Sequence, residues 1–350
     1  MRLDKADDLE KQFDKSAIKK GLLTTLSISV GIVVIIMLFT FGPKTFSSLL
    51  KIKFEYLLAS LILLVLSWYV ESFRIIATIK AVTYKNVEFG LHEGVELYLA
   101  NAFLSGVTPF TSGGWPLQIY YFTRKGLSLG EATMIPAVRS LVKTVIFGAL
   151  SPFLFIIFKR ELNTYYKFPD FLIYIGLFLS TLLVIGFLLM ARYPYITRKL
   201  LMRVLLNKTV RNKKLLRKGI IITIRELINF QTSGRVLLEK WVYTVWVIIL
   251  TILFWTIQFI IPILILKGLS GSAPIKEMII AQIILNFVVP FSPTPGGSGA
   301  AELGFAGIFS PFVPSYLLGA FTTIWRFVTF YITLIVGGIY FSKMLKDFGS

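Results

Sequence analysis

The 350-residue sequence contains no cysteine, so disulfides, thiolate metal ligands and a cysteine nucleophile are excluded together. It has one histidine, His92, which rules out a zinc site of clustered histidines and a catalytic triad built on any other histidine. No GxxxxGK[ST] run is present, so the loop that would cradle a nucleotide for hydrolysis is missing. Charge is scarce as well: 16% of residues are charged against 55% hydrophobic, and mean hydropathy is +0.75. A water-soluble surface cannot be made from that composition. No metal and no cofactor are expected, and hydrolytic catalysis has little to work with.

What the chain has in abundance is apolar length. Runs of about 20 residues, enough to cross a hydrocarbon core of about 30 Å, recur from residue 22 to residue 342. They are continuous and rich in Leu, Ile and Phe rather than alternating, which points to helices and excludes a transmembrane barrel. The expected fold is an all-α polytopic membrane protein with six full spans, at 22–42, 54–79, 129–158, 170–191, 241–266 and 314–342. Pro43, Pro169 and Pro314 stand at span boundaries, where a helix should begin or stop. Two more apolar segments are broken, 93–122 by TPFTSGGWP and 274–311 by PFSPTPGGSG. Such irregular backbone is tolerated at membrane depth only where it is buried in protein or lines a watery cavity, so both segments are expected to be re-entrant helical hairpins.

Basic residues set the expected orientation. Of 37 Lys and Arg, 25 fall in segments that would share one side with the N-terminus (1–21, 80–92, 123–128, 192–240 and 343–350) and 8 fall on the other side. By the positive-inside rule both termini are expected to be cytoplasmic. The stretch 192–240 carries 13 of these basic residues against only Glu226 and Glu239. With apolar faces between its charges, it is expected to lie on the anionic inner leaflet. Nucleic acid is disfavoured as a partner, because the stretch lacks aromatic interleaving or a known module. The mixed acids and bases of 1–21 read as a cytoplasmic lead-in rather than a signal peptide.

The two broken segments resemble each other. Asn101 is followed by a proline, then Gly113-Gly114, then Arg139 in the next long helix; Asn286 is followed by prolines, then Gly296-Gly297, then Arg326 in the next long helix. Three expected spans separate them, an odd number, so the second copy should be inverted in the membrane. The halves are 22–168 and 169–342, the second including the basic insertion 192–240, with 343–350 as a cytoplasmic tail. Inverted repeats of this kind place discontinuous helices around a midplane site in transporters; chance recurrence of Asn, Pro and Gly at helix breaks is the plain alternative.

Charges within spans cost about 3 kcal/mol each on insertion scales, so they are candidate functional residues. Arg139 lies about 15 Å into its expected helix, with Lys143 one turn further on the same face, and Arg326 lies similarly deep in the last span. Glu71 and Arg74 form an i, i+3 pair, readable equally as mutual neutralisation. Glu302 follows the second break at the start of a short helix, where an acid could simply favour the positive helix end, and Glu131 has the same bland reading. Two deep arginines, each following a glycine-rich break, suggest an anionic ligand such as a phosphate. Asn101, Asn286 and the breaking residues Pro109, Gly113, Gly114, Pro116, Pro293, Pro295, Gly296 and Gly297 complete the expected site. Glu71 and Glu302 are the expected resting partners of the arginines.

The stretches NAFLSGVTPFTSGGWPLQIYYFTRKGLSLGEATMIPAVRSLV and NFVVPFSPTPGGSGAAELGFAGIFSPFVPSYLLGAFTTIWRFVTFYITLIVGG resemble the membrane domain of bacterial lysylphosphatidylglycerol synthase/flippase proteins and their stand-alone relatives. The resemblance covers nearly all of the chain from about residue 20. It implies a flippase-like transport of aminoacylated phosphatidylglycerol or other lipids to the outer leaflet, which lowers negative surface charge and gives resistance to cationic antimicrobial peptides. Carried over by motif, it points to Pro109, Gly113, Gly114, Arg139, Pro295, Gly296, Gly297, Glu302 and Arg326. Aminoacyl transfer in that family belongs to a separate soluble, tRNA-using domain, for which a chain ending at Ser350 is expected to leave no room. The leading expectation is therefore a phospholipid translocator whose partner is the lipid headgroup. The alternative is a membrane-embedded transferase, or an accessory subunit to one. A second copy of the chain and a separate lipid-modifying enzyme are the candidate protein partners.

Overall fold

A computed structural model describes residues 15–40, 42–165, 178, 181–182, 185, 228–230, 232–270, 272–288 and 292–349. The expected cytoplasmic lead-in up to residue 14, most of the expected span 170–191 and the basic stretch up to residue 227 lie outside the described residues. All regular elements among the described residues are helical: α1 (Lys15–Thr40), α2 (Pro43–Leu50), α3 (Phe54–Val82), α4 (Leu91–Val107), α5 (Gly114–Arg124), α6 (Leu129–Tyr165), α7 (Trp241–Ser270), α8 (Ile275–Val288), α9 (Ala300–Phe309), α10 (Ser315–Arg326) and α11 (Ile332–Gly349). Short 3₁₀ turns at Pro109–Thr111 and Pro295–Gly297 interrupt the two broken segments, and a π-helical turn at Phe327–Tyr331 joins α10 to α11.

Four stretches of the described residues are long and apolar enough to cross a membrane: Leu22–Thr40, Phe54–Val82, Trp241–Ser270 and Ser315–Lys346. The expected span 129–158 lies on α6, which continues to Tyr165. Two of the expected boundary prolines stand at helix starts, Pro43 opening α2 and Pro314 immediately before α10, and Pro169 lies outside the described residues; Pro262, by contrast, is inside α7. Pro116 sits in the first turn of α5, where a missing N–H breaks no helical bond.

The chain forms two compact units, Met1–Ser72 with Leu91–Pro116 and Ile252–Ser350, and Phe73–Gly90 with Leu117–Thr251. Their boundaries fall inside α3, α5 and α7. The first unit is built on a core of Leu64, Trp68, Leu99, Ile261, Phe305 and Phe321. Lipid tails are as apolar as a leucine side chain, so helices associate in a bilayer through close packing rather than hydrophobic exclusion. Glycine supplies that closeness on α11: a β-carbon at Gly337 would collide with the carbonyl oxygen of Leu99 on α4, and one at Gly338 would lie 3.2 Å from the Phe103 ring. Gly319 does the same for α10 against Thr40 and Met37 of α1, and Thr45 Oγ1 of α2 donates to the Tyr316 carbonyl at 2.6 Å. Side chains such as Leu38, Phe39, Ile62 and Ile335 remain exposed, as a lipid-facing surface allows.

The second unit packs Leu117, Phe122, Met134 and Ile135, all fully buried. Ser128 and Glu131 open α6 with a reciprocal capping box, Ser128 N to Glu131 Oε2 at 2.8 Å and Glu131 N to Ser128 Oγ at 3.3 Å. Glu131 also accepts from Thr83 Oγ1 at 3.0 Å and pairs with Lys85 Nζ at 2.7 Å. Lys240 Nζ donates to the Thr83 carbonyl at 2.9 Å, and Tyr84 bonds Glu239, whose carboxylate raises the phenol's pKa. These contacts tie the loop after α3 to the start of α6 and to the residues that precede α7.

Candidate functional site

The centre of interest in the first unit is the pair of interrupted helices. Thr108-Pro109 and Thr294-Pro295 enter their 3₁₀ turns in extended conformation, with Thr108 at φ −115° and Thr294 at φ −78°. Each turn closes on the same two backbone bonds. Thr111 N donates to Thr108 O at 3.2 Å and Ser112 N to Pro109 O at 3.1 Å; Gly297 N donates to Thr294 O at 3.1 Å and Ser298 N to Pro295 O at 3.0 Å. The two residues after each proline are left-handed: Phe110 at φ 54° and Thr111 at φ 53°, Gly296 at φ 59° and Gly297 at φ 65°.

This geometry corrects the correspondence expected between the segments. The structurally matching run is Thr-Pro-x-x, Thr108 to Thr111 and Thr294 to Gly297, within the shared sequence Thr-Pro-x-x-Ser-Gly, so Gly296-Gly297 answers to Phe110-Thr111 and not to Gly113-Gly114; beyond it the backbones diverge, Ser112 at ψ −21° and Ser298 at ψ 135°. The glycine pairs differ in their backbone. Gly296 and Gly297 relieve left-handed backbone, which Phe110 and Thr111 adopt at a steric cost. Gly113 and Gly114 are needed for space: a β-carbon at Gly113 would lie 2.8 Å from Thr108 Cγ2, and one at Gly114 would collide with Ser105 Oγ and Asn101 Oδ1.

The two turns pack against each other, with the second turn also against α1 and α4. A β-carbon at Gly296 would lie 2.6 Å from the Gly106 carbonyl and 2.8 Å from the Phe330 ring. The Gly106 carbonyl, freed by the break in its helix, accepts from Thr25 Oγ1 of α1 at 3.0 Å.

Arg326 ends α10 beside this junction. Its Nε lies 2.8 Å from Glu302 Oε1, its Nη2 donates to the Gly296 carbonyl at 3.1 Å, and its guanidinium stacks 3.7 Å from the Phe330 ring centre. Glu302 is fully buried and its other oxygen accepts from Gly299 N at 2.7 Å, so it both caps α9 and neutralises the arginine. The π-helical turn begins at the next residue, and such turns occur frequently at functional sites. Trp325, the residue before the arginine, stacks on Phe305 of α9 with ring centres 3.9 Å apart.

In the second unit Arg139, also buried, donates to Gln118 on α5. Each deep arginine thus reaches back to a polar side chain on the short helix that follows a break. Lys143 Nζ lies 5.8 Å from the Phe147 ring centre, and Arg74 Nη1 donates to Thr251 Oγ1 at 3.2 Å.

Of the expected site residues, the first unit holds Glu71, Asn101, Pro109, Gly113, Gly114, Pro116, Asn286, Pro293, Pro295, Gly296, Gly297, Glu302 and Arg326, and the second holds Arg74, Arg139 and Lys143. Glu71 is buried on α3, and Asn286 Nδ2 bonds the Gln282 carbonyl of its own helix at 3.0 Å. Sequence reasoning missed Gln118, Phe330, Thr108, Thr294 and the π-helical turn. Aligning the two segments on Thr-Pro-x-x-Ser-Gly would have found the threonines; a π-helical turn leaves no comparable signature.

Long apolar helices, together with buried charge at two interrupted ones, define a multi-pass membrane protein. The chain belongs to the family described as the Lysylphosphatidylglycerol synthase TM region, whose model matches residues 26–337. It is similar to a UPF0104 membrane protein of Archaeoglobus fulgidus, 26% identical over 315 residues that cover 89% of this chain and 93% of that relative. A UPF0104 membrane protein of Methanothermobacter thermautotrophicus is 28% identical over 126 residues, 36% of this chain and 34% of that relative.

Proposed function

We propose that the protein moves an anionic or aminoacylated phospholipid, of the lysylphosphatidylglycerol kind that the family's description names, between the leaflets of the cytoplasmic membrane. The observation that carries this reading is Arg326, a buried guanidinium held by one carboxylate, one carbonyl and one aromatic ring at the meeting point of two interrupted helices. Its planar fork suits a phosphate, which would compete with Glu302 for it as the headgroup passes. Arg139 and Lys143 would form the corresponding station for the other leaflet. Neither lysine nor arginine at such depth is an economical way to hold helices together, which favours a transport role.

The architecture proposed with it has six full spans and two re-entrant hairpins, arranged as inverted halves 22–168 and 169–342, with both termini and the basic stretch 192–240 on the cytoplasmic side. Supporting the repeat is the shared Thr-Pro turn, with the same two hydrogen bonds and the same left-handed pair in each half. The basic stretch would rest on the anionic leaflet that presents the substrate.

Purified protein in liposomes with labelled phosphatidylglycerol, lysylphosphatidylglycerol and phosphatidylcholine tests the reading. Faster exchange of the first two than in empty liposomes is expected, with Arg326→Lys losing far more exchange than its small fall in melting temperature accounts for. Exchange no faster than in empty liposomes for every lipid would sink it.

A further inference from the structure

A groove of about 920 Å³ runs along α11 in the first unit, separate from the Arg326 pair. Its body is apolar, with Leu26 and Val30 from α1 facing Ile335 and Ile339 from α11. These are not buried core positions: Val30, Ile335 and Ile339 are among the exposed large hydrophobic side chains. At one end the lining becomes basic, with Lys343 and Lys346 and no carboxylate among the described lining residues. That end coincides with the limit of the membrane-spanning stretch Ser315–Lys346, where headgroups lie. At the other end Phe327 and Tyr331 bring the groove to the π-helical turn that follows Arg326.

The dimensions select an occupant. From Tyr331 to Lys346 the helix rises about 22 Å, against about 15 Å for the hydrocarbon of one leaflet. An acyl chain with its headgroup at the lysines therefore fits lengthwise within the groove. Lys343 is held at the mouth by Glu96 of α4, Nζ to Oε1 at 2.8 Å, and His92 Nε2 lies 3.5 Å from the same carboxylate oxygen. Lys343 and Lys346 make this mouth the basic end of the lining. We propose that this groove binds one acyl chain of an anionic glycerophospholipid, with the lipid phosphate at Lys343 and Lys346. As a waiting position for the transported lipid it rests on the translocation reading; as a binding site it does not.

Native mass spectrometry of the detergent-purified full chain, titrated with phosphatidylglycerol and with phosphatidylcholine, tests the site. The unaltered chain is expected to retain phosphatidylglycerol preferentially. The double variant Lys343→Gln, Lys346→Gln should weaken that retention roughly tenfold, to the level of phosphatidylcholine. Ile335→Trp, at an exposed position, should fill the groove and lower retention of both lipids. Lys44→Gln, Lys51→Gln, which removes two lysines from α2 and the turn after it, should change neither. The proposal is overturned if the unaltered chain shows no preference, if the Lys44 and Lys51 variant loses as much as the Lys343 and Lys346 variant, or if Ile335→Trp retains both lipids in full, which would leave only general attraction of headgroups to charge. Binding that persists in a chain unable to move lipid would count against translocation and leave the groove standing.

Discussion

Arg326 and Glu302, 24 residues apart, meet at 2.8 Å with side-chain exposures of 6% and 0%. Because the second carboxylate oxygen caps Gly299, the pair ties the last long span to the short helix that follows the second break. Removing one partner strands a buried charge.

Arg326→Ala and Glu302→Ala are each expected to cost about 3–5 kcal/mol of stability, read as a lower melting temperature in detergent. Arg326→Lys retains the charge and loses the fork, so its melting temperature should fall much less while lipid transport falls sharply. If transport across these variants simply follows the melting temperature, the pair is a structural clasp and the headgroup role is lost.

The left-handed positions after the two prolines should respond in opposite senses. Gly296→Val forces a β-branched residue to φ 59° and crowds the Gly106 carbonyl, for an expected loss of about 3 kcal/mol or more. Thr111→Gly relieves a left-handed threonine and should raise stability by up to about 1 kcal/mol. Thermal melts of the two variants side by side check the shared turn; a destabilised Thr111→Gly would mean that its side chain matters more than its backbone.

Gly337→Ala tests the approach of α11 to α4. Its β-carbon would meet the Leu99 carbonyl oxygen, backbone that cannot swing aside, so a loss of about 1–3 kcal/mol is expected. Gly307→Ala, where a β-carbon meets nothing within 4 Å, should leave the melt unchanged or slightly improved. Equal effects at the two positions would remove the close-packing argument.

Orientation can be read with single cysteines, since the chain has none of its own. Leu215→Cys is expected to resist an impermeant thiol reagent in intact cells and to react once the membrane is opened. Labelling in intact cells would invert the proposed topology and exchange the inner and outer sides of the site.

The membrane class, the long apolar helices and the places where two segments break were legible in the sequence, because each rests on local properties: apolar length and the position of prolines. Glu302 is expected from sequence both as a helix-start acid and as a resting partner of a deep arginine; that one carboxylate serves both, capping α9 and meeting Arg326, follows from α10 returning past α9, a matter of packing between segments 24 residues apart.

Tertiary structure decided between two registers that the sequence offers for the two turns, one on Thr-Pro and one on Gly-Gly. Glycine identity suggested that Gly113-Gly114 and Gly296-Gly297 correspond, but a glycine can be present for its backbone freedom or for its lack of a side chain, and sequence does not distinguish the two needs. Here Gly113 and Gly114 answer the second need, Gly297 the first and Gly296 both, while Phe110 and Thr111 hold left-handed backbone that their residue types argue against. That strain is sustained by neighbours that close the turn and pack on it, which no local pattern encodes. The same holds for the bond from Arg139 to Gln118 and for the π-helical turn after Arg326.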